Sequence, residues 1–469
     1  MHFHFCGVAG IGMANLARLV LMAGHTLTGS DCRKSPIQDE LLKAGAQRVS
    51  PFQHGDNVCG ADVVVKSVAV PDKNPEIGAS RVLGIPVWTK TQCLSWLIQN
   101  KATIAIAGSF GKSSTTTLLA DILVGAEMDP TIYVGGNVPT LGCGARWGQG
   151  DISVVEACEY QREIQYLFPK HLVITNLAVN HEDVFGYTLN GITDFFERYI
   201  SSQEYNLETI WLNESDPGSR IILSKGIKHV QKYGTVSSEW STVVHRSDSQ
   251  GSVFELFYRG QSEGYYKTHW PGLHVVANLT PVLGLARYLD LKPSSIAIGL
   301  KTSKPLDRRY QIVYKDDCLE IIDDNARLPE QVATTVNAAR LMPGYSHIIL
   351  VVLGIWGRLN RRNLQKYALG LQGCEHIFVL PSEPFDVRNG GPEPEGADEE
   401  LVSLLRGQGA SASCMKTTDE INEWITEFPT RILMMGYDSF NSKFEEVISS
   451  VRHTRTRRTK YRLASDGDP

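Results

Sequence analysis

The sequence predicts an α/β protein of three domains: an N-terminal Rossmann-like domain, a central P-loop domain on a doubly wound ATP-binding sheet, and a C-terminal Rossmann-like domain. Three observations carry this prediction. Short apolar runs that read as strands alternate with helix-periodic segments along most of the chain. Two of these runs end in glycine turns that pass directly into helices, at Gly7–Gly12 and at Gly108–Gly111. The same alternation resumes a third time after residue 305, and 469 residues are enough for roughly three domains. The boundaries expected are 1–100, 101–304 and 305–469, the last ending in a basic tail.

The first strand is Phe3–Cys6, followed by the turn Gly7-Val8-Ala9-Gly10-Ile11-Gly12 and a helix carrying Met13, Leu16, Leu19 and Val20. A second strand, Thr26–Gly29, ends at Ser30-Asp31. This is close to a dinucleotide fingerprint. Gly7, Ala9, Gly10 and Gly12 would let a diphosphate approach the backbone, and Asp31, about twenty positions on, would take a ribose hydroxyl. Ala9 occupies the middle glycine position and crowds that approach. The motif suits a nicotinamide cofactor, another nucleotide diphosphate, or plain packing of strand on helix. A strand over Asp62–Val70 and the run Gly84–Trp88 then lead to the central domain.

Ile104–Ala107 reads as a buried strand, and Gly108-Ser109-Phe110-Gly111-Lys112-Ser113-Ser114 follows it into an apolar helix. Backbone amides of such a turn converge on phosphate oxygens, and the helix N-terminus adds its dipole. Lys112 would reach the outer phosphates of ATP, and Ser113 would hold a magnesium ion. The glycines have two residues between them where the usual pattern has four. Two further strands, Ile152–Val155 and Leu172–Asn176, run into Glu156-Ala157-Cys158-Glu159 and Asn180-His181-Glu182-Asp183. Both deliver hard ligands on the side of the P-loop, so Glu156 and His181 would complete a Mg2+ shell begun by Ser113 and phosphate. Glu159 and Asp183 read equally well as solvated loop residues. Short strands over 205–265 carry no catalytic pattern. Pro271-Gly272-Leu273-His274 opens a helix whose Asn278 would read an adenine edge or, as is commoner for Asn, serve as a capping or surface amide.

Lys301–Pro305 reads as a linker. The last domain opens on Asp307-Arg308-Arg309-Tyr310 and a strand-turn-strand ending at Asp323-Asp324. Gly390–Glu400 reads as a mobile loop and His453–Lys460 as a frayed basic tail. The net charge of -5 gives no reason to expect nucleic acid or an anionic membrane as partner. Nine scattered cysteines without a CxxC point to a reduced, cytoplasmic setting. The N-terminus has no basic leader, and apolar runs such as Ile348–Val352 are too short to span a bilayer.

As an ordered set these motifs resemble the Mur ligase superfamily, ATP-dependent ligases that join an amino acid to a carboxylate. Gly7–Met13 with Ser30-Asp31 is similar to the branch acting on UDP-N-acetylmuramate. Ala107–Thr115 resembles the family's compact P-loop, Glu156–Tyr160 its acidic metal motif, and Thr175-Asn176 with His181 and Asp183 its metal-binding His motif. Pro271–His274 with Asn278 resembles the adenine segment, and Arg309 and Asp324 match the residues by which the last domain holds ATP. The resemblance implies a cytoplasmic enzyme of peptidoglycan precursor synthesis, a monomer or homodimer. Its cofactors would be ATP and Mg2+, and its catalytic residues Lys112, Glu156 and His181. Its substrates would be UDP-N-acetylmuramate and an amino acid, L-alanine in the branch it most resembles, joined through an acyl phosphate while a hinged last domain excludes water. Four positions depart from the pattern. Asn180 stands where an acidic residue is usual, and Val275 replaces an Asn. Arg327-Leu328 replaces a His pair, and Gly354–Asn360 lacks a Pro-His-Arg-Tyr-type segment. The last two lie where the incoming amino acid is received, so a relative with another acceptor, a murein tripeptide or a specialised metabolite, stays open. A nicotinamide-dependent oxidoreductase ranks below both, because it leaves the P-loop unused.

Overall fold

The structure, a computed structural model, describes residues 1–32, 35–248, 250–342, 344–345, 348–354, 363–381, 396–425, 428–436 and 440–465, side chains included save those of Glu182 and 456–465. The chain divides into two compact units, Met1–Asp307 and Arg308–Pro469.

Two of the three sheets lie in the first unit. The N-terminal sheet holds β1 (His2–Cys6), β2 (Thr26–Ser30), β3 (Arg48–Ser50), β4 (Val63–Lys66) and β5 (Val87–Thr89), in the order β3-β2-β1-β4-β5. All its pairings are parallel, with Cys6 beside Ser30 on one side and Lys66 on the other. The order reverses between β1 and β4, which opens a crevice beyond their carboxyl ends. The glycine turn leaves β1 at that point. The strand expected over Asp62–Val70 stops at Lys66, because Ser67 and Val70 fold over Gly7: a Cβ there would come 2.9 Å from Val70 Cγ2.

The central sheet has ten strands in the order β15-β14-β13-β12-β11-β10-β6-β9-β7-β8. These are β6 (Ala102–Ala107), β7 (Thr131–Val138), β8 (Cys143–Arg146), β9 (Ile152–Glu156), β10 (His171–Ile174), β11 (Thr209–Asn213), β12 (Val230–Tyr233), β13 (Trp240–Asp248), β14 (Gly251–Tyr258) and β15 (Gln261–Thr268). From β12 to β7 the pairing is parallel, and β6 runs between β10 and β9. Its residues Ile104–Ala107 are buried without alternation, as suits a strand covered on both faces. Helices Lys112–Gly125 and Leu273–Tyr288 lie against one face.

One hydrophobic core joins the two sheets. Phe3, Met13 and Leu16 belong to the same buried cluster as Tyr133, Val155 and Ile174. Asn15, 1% exposed on the helix Ile11–Met22, donates to the carbonyls of Val134 (3.0 Å) and Gly136 (2.9 Å) and accepts from the Gly144 amide. It thereby satisfies backbone groups where the β7–β8 register shifts.

The second unit carries a six-stranded sheet ordered β16-β17-β21-β18-β19-β20: β16 (Gln311–Lys315), β17 (Leu319–Asp324), β18 (Ile348–Gly354), β19 (His376–Val379), β20 (Ala412–Cys414) and β21 (Thr430–Gly436). It is parallel except for the edge strand β16. The expected frayed tail is instead part of the helix Asn441–Ser465. Arg455 explains the order, since it grips Asp316 with two nitrogens at 2.8 and 3.1 Å. Most of the loop expected over Gly390–Glu400 lies outside the described residues, and Ala397–Glu400 open the helix Ala397–Gly407. Of the segment Gly354–Asn360, only Gly354 is described. No helix among the described residues is long and apolar enough to cross a membrane.

Candidate active site

The P-loop leaves β6 and is clasped from β10. Ser109 N–H donates to the Asn176 carbonyl at 3.0 Å, and Phe110 N–H to Asn176 Oδ1 at 3.1 Å. Asn176 Nδ2 and Thr175 Oγ1 in turn donate to the Phe110 carbonyl at 2.8 and 2.7 Å. Gly108, at φ +130°, sits against this clasp, where a Cβ would come 2.8 Å from the Asn176 carbonyl. Asn278, on the helix Leu273–Tyr288, packs over Gly111, with Oδ1 3.2 Å from where a Cβ would stand. Ser113 and Ser114 follow in the first helical turn, partly exposed.

Lys112 turns back over the loop, donating to the Gly108 carbonyl, and meets Glu159 at 3.0 Å. Glu159 is fully buried and also stands 3.5 Å from His181 Nε2. Burial alone would depress the Lys112 ammonium, but Glu159, with Cys158 and Glu156, outweighs it and holds the group above the ordinary lysine range. Burial would likewise raise Glu159, yet Lys112 and His181 keep its carboxyl below the usual carboxylate range. His181 is fixed on three sides. Tyr160 lies on its ring with centroids 4.6 Å apart, its amide donates to Asn180 Oδ1 at 2.9 Å, and Glu159 faces Nε2. Tyr160 itself donates to Asp183 at 3.2 Å. Gln161, Arg162 and His181 all adopt left-handed φ values, 52°, 59° and 54°. Each such non-glycine residue costs on the order of 1 kcal/mol and is held by its surroundings.

Glu156 ends β9 beside Ile106 of β6. One of its oxygens accepts from the Gly135 amide at 2.8 Å, and both would lie 3.2–3.3 Å from a Cβ at position 135, so a side chain there would press on the carboxylate. No group of three His, Cys, Asp or Glu gathers among the described residues. Ser113 and Glu156 are oxygen donors of the kind magnesium takes, with one or two carboxylates and its other oxygens from phosphate, while His181 Nε2 faces Glu159.

In the second predicted site Asp31 stands just past the end of β2. That residue is 3% exposed and accepts from the Ala9 amide at 2.9 Å, so its carboxylate shapes the turn. Gly7 and Val8 donate to the Ser30 carbonyl at 2.9 and 3.0 Å, closing the same turn. Nothing lies within 4 Å of a Cβ at Gly10, the residue that caps the helix Ile11–Met22. In the second unit, Asp324 accepts from Thr335 Oγ1 at 2.7 Å, and Arg309 reaches the Asn325 carbonyl at 3.4 Å. Burial pushes the Asp324 carboxyl up to about 6.

Models of two families cover more than half of the chain: "Mur ligase family, catalytic domain" over residues 2–102 and "Mur ligase middle domain" over 106–286. The chain belongs to the Mur ligase family. The UDP-N-acetylmuramate–L-alanine ligase of Koribacter versatilis is 31% identical over 81% of this chain and 82% of that protein. The UDP-N-acetylmuramate–alanine ligase of Thermotoga maritima superposes with a TM-score of 0.78 at 21% identity, covering 98% of this chain and all of that one. A MurF ligase of Thermotoga maritima, solved in complex with ADP, gives 0.61 at 15% identity over 93% and 96%. These two share the three-domain Mur ligase fold.

Three of the four departures from the family pattern take ordinary structural places, and the fourth, Gly354–Asn360, lies outside the described residues beyond Gly354. Asn180 caps the His181 amide. Val275 is 4% exposed in the core. The amides of Arg327 and Leu328 donate to Gln331 Oε1 at the start of the helix Pro329–Leu341. Sequence reasoning placed Glu156 and His181 past the ends of their strands, left Glu159 open between a ligand and a solvated loop residue, and named Tyr160 only within the acidic motif. Their signal was position, immediately past the end of the β9 strand.

Proposed function

We propose that this Mur ligase joins L-alanine to the carboxylate of UDP-N-acetylmuramate, using ATP, in the cytoplasmic assembly of peptidoglycan precursors. The observation that carries the reading is the Lys112–Glu159–His181 line beside the P-loop, with Glu159 buried at its centre. Domains 1–100, 101–304 and 305–469 are assigned to the sugar nucleotide, ATP and the ligation partner. Gly108, Ser109, Gly111, Lys112, Ser113 and Ser114 hold the triphosphate, with Asn278 toward the adenine; Arg309 and Asp324 are the second unit's candidates for ATP. Gly7, Ala9, Gly10 and Gly12 hold the diphosphate of the UDP-sugar, and Asp31, which braces their turn, stands near its nucleoside.

The carboxylate oxygen attacks the γ-phosphorus, the bond to ADP breaks, and an acyl phosphate forms. The free amine of the amino acid attacks the acyl carbon, phosphate leaves with the C–O electron pair, and the nitrogen gives up a proton. Lys112, held charged by Glu159, offsets negative charge gathering on the transferring group. A magnesium ion, held by Ser113, Glu156 and His181, would supply further charge neutralisation there. Glu159 and Tyr160 keep the His181 ring in one orientation.

The test is ADP release from ATP and UDP-N-acetylmuramate across a panel of amino acids. L-Alanine should give the highest kcat/KM. Turnover only with another amino acid or acceptor would replace the substrate assignment, and hydride transfer from a nicotinamide would overturn the ligase reading.

A further inference from the structure

Lys90 begins the helix Lys90–Leu97 and faces the first turn of the helix Ile11–Met22. A Cβ at Gly12 would lie 4.0 Å from its ammonium and 3.3 Å from the Tyr133 hydroxyl. Tyr133, on β7, donates its proton to the Gly12 carbonyl at 3.1 Å, so its oxygen can receive an N–H from Lys90, whose nitrogen lies 6.0 Å from the ring centre. Among the described residues no carboxylate forms an ion pair with this ammonium. The nearby acids are committed elsewhere: Glu163 accepts from the Thr91 amide at 3.1 Å and Glu156 from the Gly135 amide. The Tyr133 oxygen, then Cys158, Glu163 and Glu156, outweigh burial and keep Lys90 charged above the ordinary lysine range.

An ammonium has three donors, and Tyr133 takes one. The remaining two stand between the glycine turn and the end of β9. Lys90 stands beside Gly12 on one side and within electrostatic reach of Glu156, at the end of β9, on the other. We propose that Lys90 binds an oxyanion of the nucleotide-sugar, either its diphosphate or its sugar-borne carboxylate, at the seam between the two sheets. Gly12 is then required because any side chain would fill the space that oxyanion takes. This inference rests on the reading of the glycine turn given above.

Calorimetry on the full chain tests it, with UDP-N-acetylmuramate, UDP-N-acetylglucosamine (which lacks the carboxylate) and a non-hydrolysable ATP analogue with magnesium as probes. Lys90→Met should weaken UDP-N-acetylmuramate roughly tenfold or more, the loss of one charge-assisted contact. It should leave the ATP analogue and the melting temperature unchanged, and Lys90→Arg should recover most of the affinity. An equal loss on UDP-N-acetylglucosamine assigns the diphosphate, and a loss confined to UDP-N-acetylmuramate assigns the carboxylate. Unchanged sugar-nucleotide binding, or equal weakening of the ATP analogue, overturns the inference. Should Lys90→Met not fold, amine acylation of the wild-type chain decides: UDP-N-acetylmuramate must protect Lys90 and the ATP analogue must not. If the wild type binds neither UDP-sugar, the reading of the turn itself falls and this inference with it.

Discussion

Glu159 shows how much a single residue's meaning depends on burial. In sequence it reads equally as a ligand or as a solvated loop carboxylate; in the fold it is fully buried between Lys112 and His181. A buried carboxylate persists only when paired, so its position ties it to the cation it holds. Lys112→Ala should lower kcat on the order of a hundredfold or more with the fold intact. Glu159→Gln should lower kcat by about ten- to a hundredfold while the ATP analogue still binds. Wild-type turnover in the Gln variant would reduce Glu159 to a structural role. Asp324 makes a prediction about pH. Its carboxyl is raised from 3.8 to about 6, so the fold favours the protonated form. The stability this contributes is complete below about 3.8 and is lost as pH rises through about 6. The melting temperature of Asp324→Asn should therefore gain on the wild type between pH 4 and 6. A constant difference across that range would show that burial does not govern this carboxyl.

Among the elements, the turn after β6 is shaped from outside. Thr175 and Asn176, just past the end of β10, satisfy the amide and carbonyl of Phe110 and the amide of Ser109. The Ser109 and Phe110 amides are thus taken by Asn176 and are not aimed at a phosphate. Asn176→Ala would strip Phe110 of two partners, at a cost of about 1–3 kcal/mol. The expected signature is a raised KM for ATP with a smaller change in KM for the sugar nucleotide. Equal effects on both would mean that the clasp serves the whole unit and not the loop. The sequence revealed the strand, the glycines and Lys112, since each is a local requirement. It could not reveal the clasp, because strands 65 residues apart become neighbours only when β10 pairs with β6.

For the molecule as a whole, the division at Asp307 gives each unit its own cores. In the second unit Arg431, fully buried, pairs with Glu320 at 2.7 Å, its register partner across β17 and β21, and also donates to the carbonyls of Ala339 and Met342. Lys315 reaches the other Glu320 oxygen at 3.2 Å from the rim. Arg431→Met leaves a buried carboxylate short of its main partner and should cost about 3–5 kcal/mol. In calorimetry only the transition of the second unit should shift, the one that a UDP-sugar does not raise. A single transition moving as one would show that the two units melt together.

The sequence by itself determined the fold class, the order of the motifs and the chemistry each could support. Strand periodicity, glycine turns and a Lys-hydroxyl run are short-range features, written in neighbouring residues. Only the tertiary structure decided which acid serves Lys112, that Asp31 braces the turn, and that Lys90 faces Gly12 from a helix almost eighty positions away. It also decided that the basic segment after His453 is helical, because Asp316 holds Arg455 across 139 residues. The physical reason is the same in each case. A polar side chain's role is set by what remains unpaired around it after burial, and burial is a property of packing, not of sequence neighbours.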